Sequence, residues 1–142
     1  MAEDTLRVVG YARTAVQDPD GIAMQVENIH DYCARKGTVL VDIVTVCGGS
    51  GLKPFDERGG RRLKDIILRE AVDLLITRDL SRLGRDDKDV ADTMEWLERH
   101  DVQLVHPSED DYRHYPPGWF HFLRAWIKWR GEYLGRQTAV LR

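Results

Sequence analysis

The chain has 142 residues, 42% hydrophobic and 32% charged, which is enough for one domain with its own core and excludes disorder throughout. No run approaches the ~20 apolar residues that a membrane span needs, and the opening Met1-Ala2-Glu3-Asp4 is acidic where an export signal is basic, so a cytoplasmic protein is expected. The net charge of −3 is unevenly spread: residues 118–142 carry +4 and the remainder −7. That split fits either a basic arm with its own partner or a solvated helix face.

In chain order, Leu6 to Ala12 (LRVVGYA) reads as a short buried strand. The turn Asp18-Pro19-Asp20-Gly21 precedes Ile22, Val26, Ile29 and Cys33 at helical spacing, and Gly37 supplies a natural left-handed stop. Thr38 to Val46 (TVLVDIVTV) reads as a second strand, apolar enough to be covered on both faces. A glycine-rich loop, Cys47 to Phe55, leads to a helix marked by Leu63, Ile66 and Ile67, then to the strand Val72 to Thr77. After a polar loop, Arg78 to Asp87, come a helix on Val90, Met94 and Leu97 and a last strand, Val102 to His106. Such alternation predicts right-handed βαβ units: an α/β fold with a mostly parallel sheet of about four strands flanked by helices.

The organisation expected is a domain over residues 1–110, an acidic, proline-bearing hinge over 111–117, and an amphipathic helix over 118–142. On that helix Trp119, Phe122, Leu123, Trp126 and Tyr133 share a stripe with Trp129 at its edge, while Arg124, Lys128, Glu132 and Arg136 recur on another face. The stripe either folds back on the domain's core or forms a subunit interface. The second is favoured, because the body already supplies its own helices and aromatic anchors suit interface centres.

No metal or cofactor site is expected. His30, His100, His106, His114 and His121 are scattered without zinc-ligand spacing, Cys33 and Cys47 read as free thiols, and Gly48 to Gly51 lack the Gly-Lys-Ser/Thr ending of a phosphate-binding loop. The arginines are more informative. Arg13 follows the first strand, Arg58 the glycine loop, and Arg82 and Arg85 lie in Leu80-Ser81-Arg82-Leu83-Gly84-Arg85. Strand carboxyl ends are where open α/β sheets bind ligands, and several guanidiniums converging there suit a phosphate. The alternative is that each pairs with a local acid such as Asp56, Asp79 or Asp86.

Tyr11-Ala12-Arg13, Gln25 on the first helix, Gly49-Ser50-Gly51 with Arg58 and Gly60 after it, and Leu80 to Arg85, taken together and in this order, resemble the catalytic domain of serine recombinases, the resolvase and invertase family. The resemblance spans roughly residues 6 to 110 and continues more weakly into the last helix. It implies a metal-free attack by serine on a DNA phosphodiester, with arginines stabilising the phosphate charge. By position Arg13, Arg82 and Arg85 correspond to catalytic residues, and Gln25, Arg58, Arg130 and Arg136 to phosphate or DNA contacts. The long helix corresponds to the dimer interface, here carried by Trp119, Phe122, Trp126 and Tyr133.

The serine of that family falls at Ala15, whose methyl group cannot attack phosphorus, and the neighbouring Thr14 points to the opposite face of an extended backbone. Ser81 stands where the family has aspartate, Trp129-Arg130 where it often has Glu-Arg, and no sequence resembling its usual following DNA-binding domain is seen. The expectation is therefore a recombinase-like protein without catalysis, acting by self-association and DNA-associated regulation, and nucleoid-associated if it binds DNA. The alternatives are a fragment or Ser-to-Ala variant of an active recombinase, and a protein-interaction module, working through the last helix, that never touches DNA.

Overall fold

The computed structural model describes residues 5–14, 18–48, 53–57, 59–107 and 112–141, with side chains placed as far as residue 135. Strand β1 (Arg7–Thr14) lies inside the sheet, and its side chains alternate between two apolar layers. Val8 and Ala12 face Ile29 and Tyr32 of helix α1 (Pro19–Lys36), whereas Val9 and Tyr11 face the opposite layer with Leu63, Ile66 and Leu83. Period-two alternation with both faces covered is why this segment reads as continuously apolar. β1 pairs in parallel with β2 (Val39–Cys47) and β3 (Leu74–Thr77), and β3 pairs in parallel with β4 (Gln103–Pro107).

A fifth strand, β5 (Tyr112–His114), pairs antiparallel with β4, giving the order β2-β1-β3-β4-β5. The fold is thus the expected mostly parallel α/β sheet, with one strand more than the four read from sequence. β5 falls inside the stretch read as a hinge, and three residues are too few to show a period. Tertiary contact fixes it instead: Tyr112 packs edge-on against Tyr32, ring centroids 4.7 Å apart, and its hydroxyl donates to Asp31 at 2.8 Å. A second correction concerns β2. It is an edge strand in which Val44 alone is buried, not a strand covered on both faces.

Local signals set the helix ends. Asp18 accepts from the Gly21 N–H at 3.0 Å to cap α1, Pro19 opens it, and Gly37, at φ 64°, ends it with its N–H bonded to the Cys33 carbonyl. α1 lies so close over β1 that a Cβ on Gly10 would come within 2.7 Å of Ile29, so only glycine fits there. On the other face lie α2 (Gly60–Arg69), with Leu63, Ile66 and Ile67 inward, and α3 (Asp87–Arg99), with Val90, Met94 and Leu97 inward.

Helix α4 (Trp119–Leu141) runs back along α3. Phe120 is buried in the cluster that holds Leu97 and Leu104, and Leu123 packs against it. The stripe therefore folds back on the core only at its start. Leu123, assigned to the stripe, turns inward with Phe120, whereas Phe122, Trp126, Trp129 and Tyr133 stay 69, 51, 49 and 44% exposed. Among the described residues, no helix is long and apolar enough to cross a membrane.

Candidate functional site

Because β1 is flanked by β2 on one side and β3 on the other, the chain reverses direction across the sheet at β1. The helices that follow β1 and β2 pack on opposite faces, and the carboxyl ends of the strands at such a switch point are the usual ligand position of open α/β sheets. Arg13 stands near the end of β1, and the segment Arg78 to Arg85 follows β3.

Pairing of β1 with β3 stops at Tyr11, opposite Thr77. Beyond it Gln25 takes the place of a neighbouring strand. The Arg13 N–H donates to Gln25 Oε1 at 3.0 Å, and Gln25 Nε2 donates to the Arg13 carbonyl at 3.0 Å. Gln25, expected from sequence among the phosphate contacts, has both ends of its buried amide bonded to the Arg13 backbone. Thr77 adds a bond from its hydroxyl to the Tyr11 carbonyl at 2.9 Å. Arg13 itself is only 6% exposed.

The second arginine segment is fixed from beneath. Leu80–Leu83 forms one tight turn, capped by Asp79, which accepts from the Ser81 N–H at 3.0 Å and from the Ser81 hydroxyl. Leu83 is fully buried, and the Thr93 hydroxyl donates to its carbonyl at 2.8 Å. Asp89 ties three segments together: its carboxylate accepts from the N–H of Phe55 at 2.8 Å and of Arg85 at 2.9 Å, while its own N–H bonds to Asp86. Sequence reasoning named Asp79 only as an ion-pair partner for an arginine and did not single out Asp89 or Thr93. The Asp86-x-x-Asp89 spacing at a helix start was the available signal.

Arg82 is the centre of the electrostatics. Burial pulls its guanidinium below the ordinary arginine range; Asp79 opposes this, and Arg78 and Arg13 add to it. Arg13 and Arg78 each therefore lie within electrostatic reach of Arg82. The Arg82 Nε–H is buried with no hydrogen-bond partner among the described residues, since Asp79 Oδ2, at 3.9 Å, lies beyond bonding distance. A desolvated, incompletely paired cation among like charges is costly unless an anion completes it.

The remaining candidates fall elsewhere. Arg85 is a rim residue, 48% exposed and 3.6 Å from Asp86, and it is not among the charges acting on Arg82. Local acids thus account for Arg85, but they do not complete Arg82. Arg130 sits on α4, 3.8 Å from Asp87. Thr14 is buried, and its hydroxyl engages Cys47 Sγ at 3.9 Å, while the Asp18 N–H reaches the same sulfur at 3.4 Å. Ala15, Arg58, the loop 49–51 and the side chain of Arg136 lie outside the described residues. Trp119, Phe122, Trp126 and Tyr133 remain on the surface of α4, and Trp126, Trp129 and Tyr133 stack successively at 5.2 and 5.4 Å between ring centroids.

A cavity of about 610 Å³ opens at the opposite edge of the sheet, among Met94, Glu98, Asp101, His114, Tyr115 and Phe120. Its lining includes no lysine or arginine, so it does not suit a phosphate.

Three solved structures share this fold. The N-terminal catalytic domain of TP901-1 integrase matches at TM-score 0.73 and 22% identity, over 89% of this chain and 98% of its own. A resolvase family site-specific recombinase from Streptococcus pneumoniae matches at TM-score 0.74 and 20% identity, over 95% and 94%. The C-terminal catalytic domain of ISC1926 TnpA, an IS607-like serine recombinase, matches at TM-score 0.62 and 23% identity, over 71% and 70%. No curated protein matches the chain. The family described as Resolvase, N terminal domain matches residues 8–126, and with the fold in agreement this chain belongs to the resolvase N-terminal domain family.

Proposed function

We propose that this domain binds the phosphodiester backbone of DNA at the Arg13–Arg82 crevice without cutting it, and that it self-associates through the aromatic face of α4. The observation that carries the reading is Arg82: a half-buried guanidinium whose buried Nε–H has no partner among the described residues, close to the charges of Arg13 and Arg78. An incoming phosphate oxygen supplies the missing acceptor, and its charge offsets the mutual repulsion of the three cations. In a cleaving relative of this family, such arginines stabilise charge as a serine attacks. Here Ala15 has no hydroxyl, so the same electrostatics act on a bound phosphate that is left intact. Self-association is supported by Phe122, Trp126, Trp129 and Tyr133, a set of large aromatic side chains exposed together on one helix.

Binding to duplex DNA, followed across a range of salt, tests the first part. The expected result is affinity that falls with salt at a log-log slope of roughly −0.9 per neutralised phosphate. Absence of binding at low salt would leave only the protein-interaction reading. Ala15→Ser tests the second: binding retained without cleavage supports a domain adapted to non-catalytic use. Efficient strand cutting by that variant would instead identify an active recombinase carrying one altered residue.

A further inference from the structure

Four acidic side chains of α3 meet α4 in reverse order along the chain. Glu98 accepts from the Gly118 N–H at 2.8 Å, Glu95 and Asp92 accept from Arg124 Nη2 at 2.6 and 2.8 Å, and Asp87 lies 3.8 Å from Arg130 Nη1. The bond from Arg124 is the main reason the Asp92 carboxyl titrates below its ordinary range, and the two carboxylates raise Arg124 in turn. The apolar part of the contact is short. Phe120 is buried, Leu123 and Ile127 are half-buried, and every residue from Lys128 to Gly135 is exposed. Ion pairs therefore hold the outer part of the contact, and pairs this exposed are individually weak and salt-sensitive.

A row of carboxylates along a helix offers a guanidinium the same charge and the same bidentate geometry as a row of phosphates. We infer that the acidic row of α3 is an internal competitor for the basic side of α4. Arg124 is a further phosphate-contacting residue, latched with Arg130 against α3 and released when a nucleic acid backbone takes the place of the carboxylates. The inference rests on the reading of this chain as a binder of DNA phosphate. It adds a site, Arg124, and a regulation: DNA binding and the α3–α4 contact oppose each other.

The test is anisotropy of a short fluorescent duplex, titrated with the full chain over a range of salt. Asp92→Asn with Glu95→Gln frees Arg124. A control, Glu27→Gln with Asp65→Asn, removes the same charge elsewhere and frees Arg69 from its 2.8 Å pair with Asp65. The latch-free variant is expected to bind about three- to tenfold tighter than the control, with a salt slope steeper by about one phosphate contact. Arg124→Gln breaks the same ion pairs from the other side and is expected to bind more weakly than the native chain. Amide exchange in the sheet confirms that each variant is folded. Opposite signs for the acid and arginine variants support the inference, whereas a purely structural contact moves both the same way and overturns it. If the native chain binds and the acid variant matches the control, the latch alone is refuted. If neither native chain nor variants bind at low salt, the DNA reading itself falls, and the latch with it.

Discussion

The sheet edge and the last helix hold their arginines in opposite ways. Arg13 and Arg82 are largely buried and close to like charge, and the Arg82 Nε–H lacks an acceptor among the described residues, while Arg124 and Arg130 lie nearer to solvent, each against a carboxylate. The first arrangement is costly to fold and stays prepared for an anion, because desolvation strengthens whatever charge arrives. The second is cheap and reversible. The same residue type is therefore a fixed receptor at one place and a detachable contact at the other, and burial rather than sequence motif separates the two.

The comparison can be broken most severely at the root of α4. Phe120→Ala removes the buried anchor of that helix and is expected to lower unfolding free energy by about 3–5 kcal/mol, read by denaturant titration. In the molecules that remain folded, the arginine crevice should be unaltered. Next comes the crevice itself. Arg82→Met replaces a half-buried, poorly satisfied cation with an apolar chain of similar length, so stability should hold or rise. DNA affinity should fall in the same protein, together with roughly 0.9 of the salt slope. Loss of both stability and binding would show that Arg82 serves the fold and not a ligand.

Smaller in free energy, but sharper in location, is Trp126→Ala. Half exposed on α4, it should change stability by no more than about 0.5 kcal/mol while weakening self-association, measured by sedimentation. The smallest effect is that of pH on the α3–α4 contact. Hydrogen bonding to Arg124 depresses the folded-state value of Asp92, so its contribution is fully present above the ordinary carboxylate range. It is lost as pH falls through the depressed value. Amide protection of α4 should thus be flat near neutrality and decline only in acid, with the Asp92→Asn variant lacking that step.

Much of the molecule was legible in the amino-acid sequence, for reasons that are local. Short apolar runs marked β1, β3 and β4, helical spacing marked α1 to α3, and Gly37 marked the end of α1. The order of Tyr11-Ala12-Arg13, Gln25 and Leu80 to Arg85 indicated both the family and the sheet edge that carries its charge. The absence of a hydroxyl at Ala15 likewise follows from the residue alone. Tertiary structure decided what depends on partners distant in the chain. β5 exists because β4 offers it an edge, and β2 is half exposed because nothing pairs beyond it. Gln25 supports Arg13 from twelve residues away, Arg82 is incomplete because Asp79 stops short, and α4 buries Phe120 in the core cluster while Trp126 and Tyr133 stay exposed. A side chain's chemistry is set by its identity, but whether that chemistry is satisfied depends on desolvation and geometry, which exist only once the chain has folded.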